Sequence, residues 1–380
     1  MRYCFNREAL TPWIKTSLVI SHKYKKLIEN LTQIWPAPST PQPIVIIGAG
    51  DIVRDAHLPA YAKAGLPVVA LVDIDTQRRT RLADSFGIEA TLSSVCEAVA
   101  IFGTSVVYDI AVPPLALPDI LVSLPIGATV LMQKPMGLDL TAARKIKALC
   151  RNCHLIAAVN FQLRYAPIFM VARQIIEQGL IGKPLDLEVH INIFTPWTIF
   201  PFLLTMPRVE LLVHSIHYLD TIRALFGTPQ AVFARSLDDP RAPGFAQTRT
   251  SVLLDWHDQR RGIMSINHNH QAGRKFQDAS FRIEGTDGTL MIKLGVLYDY
   301  PNGEDDAFWY SINGEEWRQL PLKGNWFFDS FMGPMRNLQR YVAGEDQQLF
   351  TSVDEAFTTM ALVEACFDAN QTPGTSLQRE

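Results

Sequence analysis

The chain reads as an α/β protein in two parts, a doubly wound parallel sheet followed by an α+β domain with a large, mostly antiparallel open sheet. Three observations predict this. After residue 43, short apolar runs recur with helical segments between them, "PIVIIGAG", "VVALVDID", "SVVYDIAVP" and "ATVLMQKP", the alternation of parallel strands and right-handed crossovers. Beyond residue 160 the apolar period becomes two, in "PLDLEVHINIF", "QAVFARSL", "TRTSVLLDWH", "RRGIMSINHNH", "KFQDASFRIEG" and "GTLMIKL", which suits antiparallel strands with one wet face. At 380 residues the chain also exceeds what one core ordinarily holds.

Taken in order, residues 1–42 form an extension, weakly amphipathic and ending in the stiff Pro-rich connector "PAPSTPQP". It lacks the sustained apolar core of a signal peptide. Residues 43–160 are the parallel-sheet domain, 161–345 the α+β substrate and oligomerisation domain, and 346–380 a closing helix expected to pack back on the first domain. A net charge of -3 offers no footprint for nucleic acid, and no apolar run nears the ~20 residues that cross a bilayer. Five cysteines are no disulfide framework. They read as thiols of a reducing cytoplasm, the spacing of Cys150 and Cys153 notwithstanding.

"PIVIIGAGDIV" is a buried strand that turns tightly at Gly48 and Gly50 into a helix whose amides and positive dipole end suit a pyrophosphate. The third small residue of the full fingerprint is missing, since Val53 stands there. A second strand ends in Asp73, twenty-three residues after Gly50, where a carboxylate accepts from an adenosine ribose diol. The same residue also suits the N-cap of "TQRRTRLADSF". Ligands of such sheets sit beyond the carboxyl ends of the strands, which puts Lys134 of "VLMQKPMG" at the mouth of a cofactor cleft.

These segments resemble the glucose-fructose oxidoreductase / inositol dehydrogenase / MocA-like (Gfo/Idh/MocA) oxidoreductases. The carrying residues are "GAGDIVRDAHLPA", "AVPPLALPDILVSLPIGATVLMQKPM", "VNFQLRYAP", "HSIHYLD" and "TSVDEAFTTMALVEACFDA", spanning Ile44 to Asn370. The resemblance implies a Rossmann domain and an NAD- or NADP-dependent hydride transfer on a sugar, polyol or related alcohol/ketone. It makes Lys134 and His217 the proton-transfer residues, with His214 beside them. Gly48, Gly50, Asp51, Ile52, Asp73, Pro113, Gln133, Lys134, Asn160 and Arg164 lie along the cofactor, Arg164 near its nicotinamide end. No metal is implied, and a homodimer or homotetramer through the open sheet is expected.

Chemistry agrees. Hydride transfer at a carbinol carbon needs a partner for the hydroxyl proton, and a desolvated lysine has its pKa lowered toward that task. Asp220, three residues after His217, is placed to orient the imidazole. Asp73 favours NAD over NADP, while Arg78 and Arg79 leave a route to the 2′-phosphate. "TPWTIFPF" and "GNWFFDSF" are core, pocket wall or subunit contact.

Three departures from the family pattern stand out. Gln133 replaces the acid before the lysine, Pro118 stands where histidine is common, and Val213 occupies the position of a second acid. An amide at 133 withdraws a charge from beside Lys134, so the lysine is expected to lose its proton at lower pH. These losses leave open a drifted dinucleotide-binding protein. A further alternative is a metal site of His214, His217, His268 and His270, should their elements meet.

Overall fold

The structure is a computed structural model that describes residues 24–197, 201–299 and 302–377. Its first layer is a six-stranded parallel sheet ordered β3-β2-β1-β4-β5-β6. The strands are β1 (Ile44–Ile47), β2 (Val68–Val72), β3 (Ala90–Leu92), β4 (Val107–Ile110), β5 (Thr129–Met132) and β6 (Ile156–Val159). Strands β1, β4 and β5 are buried along their whole length, as expected where helices cover both faces. The order reverses at β1, which pairs with β2 on one side and β4 on the other, and such a reversal opens a crevice at the strands' carboxyl ends.

Between β1 and β2 the chain makes a π turn over Val53–His57 that runs into α1 (Leu58–Ala64). Helices α2 (Thr76–Phe86), α3 (Val95–Phe102), α4 (Leu117–Ser123) and α5 (Leu140–Asn152) make the other crossovers. Three of the four start on side-chain caps: Asp75 accepts from the Arg78 amide, Ser94 from Glu97 and Asp139 from Ala142. Asp75, and not Asp73, therefore caps α2, which corrects the N-cap reading of Asp73.

After β6, a 3-10 turn (Gln162–Tyr165) leads into α6 (Pro167–Glu177) and the second sheet. This sheet has eight strands, ordered β14-β13-β12-β11-β7-β10-β9-β8. They are β7 (Pro184–Asn192), β8 (Ala231–Leu237), β9 (Arg249–Asp255), β10 (Arg261–Asn267), β11 (Asp278–Gly285), β12 (Gly288–Lys293), β13 (Ala307–Ile312) and β14 (Arg318–Leu320). All neighbours are antiparallel except β7 and β10. Its inner residues, Leu187, Val189, Ile191, Phe281 and Ile283 among them, pack under α6 and α7 (Ile216–Phe226). The other face is wet and charged, with Arg261 pairing Asp186 and Glu188.

Two segments tie the domains together. Helix α8 (Met332–Val342) lies against β5 and β6, and α9 (Val353–Gln371) packs on α5 and β6 of the first domain and on α7 and β8 of the second. The closing helix thus bridges both sheets. Residues 24–42 do not stand apart as expected of a connector. Ile28 and Leu31 enter the main core, and Trp35 lies edge-on to Tyr165 and Phe350 while its indole N–H donates to Asp346 at 2.9 Å. An extended, Pro-rich segment has few backbone bonds of its own, so it docks through side chains and carbonyls, as when Arg336 and Arg340 donate to the carbonyls of Trp35 and Ala37. Residues 1–23 lie outside the described residues.

Candidate active site

The glycine turn fits a dinucleotide. Gly48 has φ +102°, and a Cβ there would stand 2.4 Å from the Ala111 carbonyl oxygen, so only glycine lets β1 and the turn after β4 close together. A Cβ on Gly50 would meet nothing within 4 Å: the space over the helix start is open. Asp51 and Ile52 follow, at the end where a helix has amides without intrahelical acceptors. Asp73 flanks the turn. Its Oδ2 accepts the Ala49 amide at 2.7 Å and its Oδ1 the Asp75 amide at 2.8 Å, which orients the carboxylate and leaves each oxygen a lone pair for a ribose hydroxyl. Arg79 donates to the Asp73 carbonyl at 2.9 Å, and Arg78 sits beside Asp75. Pro113 closes β4 and starts the short Pro114–Ala116 turn on the same edge of the sheet.

Lys134 stands two residues beyond β5, and its ammonium donates to the Val213 carbonyl at 2.7 Å. The position that lacks the expected side-chain acid therefore contributes its backbone oxygen to the lysine. Burial pulls the Lys134 pKa down to about 8. Burial also drives the imidazoles of His214 and His217 well below their ordinary value, with the Lys134 charge adding to it and His268 acting on His214 ahead of the lysine. Both imidazoles are thus neutral beside an amine close to titration. Neither Nδ1 has a partner within the described residues. A proton acceptor and two uncommitted imidazoles around one point can receive a hydroxyl group and its proton.

Two expected pairings are not made. Asp220 does not orient His217. It takes both ends of the Arg164 guanidinium, at 2.6 and 2.7 Å, and accepts from Thr359 at 2.7 Å. Arg164 also donates to the Phe350 carbonyl at 2.7 Å. The guanidinium thereby ties the turn after β6 to α7, the helix that carries His217, and to the segment that leads into α9. Gln133 likewise does not face the Lys134 ammonium. Its Oε1 accepts the Lys134 backbone amide at 2.9 Å and its Nε2 lies 3.2 Å from His57 Nε2. Asn160, fully buried at the end of β6, is 3.4 Å from the same nitrogen.

The four histidines do not gather. His214 and His268 have ring centroids 4.7 Å apart, but His270 turns to Asn192 and the Lys275 carbonyl. Among the described residues no three His, Cys, Asp or Glu side chains are placed to hold a metal. His268 instead faces Glu210, which the sequence reading missed. Glu210 is fully buried, accepts from Ser215 at 2.5 Å and lies 3.5 Å from His268 Nε2. His268 meets Thr195 at 2.8 Å through its other nitrogen, and Trp197 packs edge-on to His214. The signal for Glu210 was in the sequence, since Glu210, His214 and His217 stand at i, i+4 and i+7. Residues 198–200 of "TPWTIFPF" are outside the described residues.

Residues 43–161 match a family model described as "Oxidoreductase family, NAD-binding Rossmann fold", and residues 173–375 match its companion, "Oxidoreductase family, C-terminal alpha/beta domain". The 1,5-anhydro-D-fructose reductase of Ensifer adhaerens is 25% identical over 326 residues, 84% of this chain and 95% of the relative. A D-apiose dehydrogenase of Paraburkholderia graminis is 24% identical over 332 residues, 85% and 86% of the two chains. Among solved structures, a levoglucosan dehydrogenase in complex with NADH and levoglucosan superposes with a TM-score of 0.72 at 17% identity, over 87% of this chain and 97% of that one. An oxidoreductase from Agrobacterium radiobacter in complex with NAD+, L-tartaric acid and magnesium gives 0.70 at 22%, over 87% and 96%. With both of its domains matched in order over nearly the whole described chain, the protein belongs to the Gfo/Idh/MocA oxidoreductase family, enzymes built on an NAD-binding Rossmann domain and a C-terminal α/β domain.

Proposed function

We propose that the protein is an NAD-dependent dehydrogenase or reductase that moves a hydride between nicotinamide and a carbinol carbon of a sugar, anhydro sugar or polyol. The observation that carries this reading is Lys134, partly buried at the end of β5 with its pKa drawn down to about 8, on the sheet edge that also bears Gly48, Gly50 and Asp73. Relatives named for anhydrofructose, apiose and levoglucosan support the substrate class. The bound nicotinamide supplies the hydride acceptor or donor.

The chain's own residues supply the proton path. In its uncharged form Lys134 Nζ takes the hydroxyl proton as the alcohol is oxidised, and in its charged form it returns one on reduction. His217 and His214, both neutral, bind and orient the substrate oxygens through ring nitrogens that the protein leaves without partners. Asp73 holds the adenosine ribose and favours NAD through charge repulsion with a 2′-phosphate. A homodimer or homotetramer through the open sheet is the expected assembly, and Phe233 of the edge strand β8, 65% exposed, is an apolar side chain that such a contact would cover.

The test is a panel of sugars, anhydro sugars, polyols and lactones offered with NAD and with NADP, followed by nicotinamide absorbance. Substrate-dependent turnover with NAD is the expected result. Tight NAD binding with no turnover across the panel would favour a drifted dinucleotide-binding protein.

A further inference from the structure

A second polar cluster lies beneath the carboxyl ends of β5 and β6, and the proposed reaction does not use it. Its centre is Asp109, fully buried within a strand whose other members, Val107, Tyr108 and Ile110, are all buried. A carboxylate in such a place is costly unless donors meet it. Two do. His57 Nδ1 stands 2.6 Å from Asp109 Oδ2, and the Tyr61 hydroxyl donates to the same oxygen at 2.8 Å. Both side chains are fully buried and come from the helix that follows the glycine turn. The π turn over Val53–His57 delivers the imidazole, and such turns are frequent at functional sites.

The direction of every bond in this array follows from one unambiguous donor. The backbone amide of Lys134 can only donate, and it donates to Gln133 Oε1. The other end of that side chain is then the NH2 group, and it faces His57 Nε2 at 3.2 Å. That ring nitrogen must be the acceptor, and Asn160 Nδ2, at 3.4 Å, approaches the same lone pair. The proton of a neutral imidazole is left on Nδ1, where Asp109 accepts it. The array runs from the Lys134 amide through Gln133 and His57 to Asp109, with Tyr61 closing the far end.

We propose that His57 is a positioning residue for Lys134: a neutral imidazole, held by Asp109 and Tyr61, fixes Gln133, and Gln133 fixes the backbone of the lysine. The arrangement also accounts for the amide at position 133. A carboxylate there would set an acceptor against an acceptor and require a second proton on His57, making an imidazolium between two acids. The other groups facing His57 add no charge. They are Tyr61 on α1, Asn160 after β6 and the Phe331 ring at 5.2 Å, while the Lys134 ammonium is turned away to Val213 and Asp329 outward to Lys63. His57 thereby links the helix of the dinucleotide turn to the strand that presents the lysine.

This inference rests on the proposed role of Lys134 for its effect on turnover but not for its tautomer, and the experiment separates the two. The full-length protein, labelled with 15N at histidine, is expected to show His57 as the neutral Nδ1–H tautomer at about pH 7. Assignment uses the loss of its signals in His57→Gln. In Gln133→Glu the His57 signals are expected to move to those of a doubly protonated ring. In turnover, His57→Leu is expected to lower kcat about tenfold or more, the range seen when orienting partners are removed, with the Kd for NAD changed by less than about threefold. His57→Gln, whose amide oxygen can still accept from Gln133, is expected to recover part of that loss. An Nε2–H tautomer in the wild type, or an unchanged ring in Gln133→Glu, overturns the inference whatever Lys134 does. The expected ring states with an unchanged kcat in His57→Leu also overturn it. Lys134→Met with full turnover, alongside the expected ring states, defeats the site reading and leaves the array standing. Gln133→Glu differs from the wild type by one group, so it carries the test if His57→Leu does not fold.

Discussion

Replacing Lys134 by methionine separates catalysis from stability, because the same burial that makes the lysine a useful base makes it a cost to the fold. An ordinary lysine at neutral pH is uncharged in roughly one molecule in three thousand, whereas one titrating at about 8 is uncharged in roughly one in ten, a gain of about 300-fold in available base. Methionine keeps the unbranched apolar stem and removes the amine. Alcohol oxidation is expected to fall by at least about a thousandfold, and the wild-type rate is expected to rise with pH, pass half its plateau near 8 and level off about one unit higher.

The stability effect has the opposite sign. The folded pKa lies below the unfolded value of 10.5, so the unfolded chain binds more protons between those two values and wild-type stability rises with pH across that window. Below it the lysine is charged in both states and its burial cost is complete, at most about 3 kcal/mol from the shift. Losing the bond to the Val213 carbonyl offsets roughly 1.5 kcal/mol or more of this. Lys134→Met is therefore expected to be more stable than wild type by about 1 kcal/mol at neutral pH, with the advantage shrinking as the pH rises past 8 toward 10.5. Chemical denaturation at the two ends of the window reads this directly. A variant retaining more than about a tenth of turnover removes Lys134 from the reaction. A variant equally destabilised at both pH values refutes the claim that a buried charge is being relieved.

Three further outcomes follow from the structure. Asp220→Asn leaves the Arg164 guanidinium buried without its carboxylate and is expected to cost about 3–5 kcal/mol; a loss below about 1 kcal/mol in equilibrium unfolding would show that the pair does not anchor α7. Asp73→Ala is expected to weaken NAD about tenfold while leaving NADP unchanged or tighter, in titrations of both dinucleotides; equal weakening of both would limit Asp73 to holding the Ala49 and Asp75 amides. Glu210→Gln keeps the shape and the Ser215 bond but removes the charge facing His268, and turnover is expected to fall about tenfold with NAD binding intact. Unchanged turnover would make Glu210 a structural residue.

The sequence by itself determined the architecture of the first domain. Apolar strands separated by helices, with right-handed crossovers, bring all carboxyl ends to one edge, so Gly48, Gly50, Asp73 and Lys134 could be placed on that edge from chain order alone. The change to a period of two announced the second sheet. The pattern did not reveal β3 and β14, each three residues long, because so short a run cannot be told from a loop; β6, of four residues, and β13, of six, were missed as well. The tertiary structure decided the partners. On paper Asp220 belongs to His217, three residues earlier on one helix. In the folded protein it meets Arg164, 56 residues away, and Thr359, 139 away, because a bidentate guanidinium satisfies a buried carboxylate better than a neutral imidazole does. Nothing in the strand around Asp109 names its partners, which only packing brings to it as His57 and Tyr61, and the extension reads as a tether until Trp35 docks on Tyr165 and Phe350. A side chain's spacing states which neighbours it can reach within its own element, and only packing states which distant group desolvates and pairs with it.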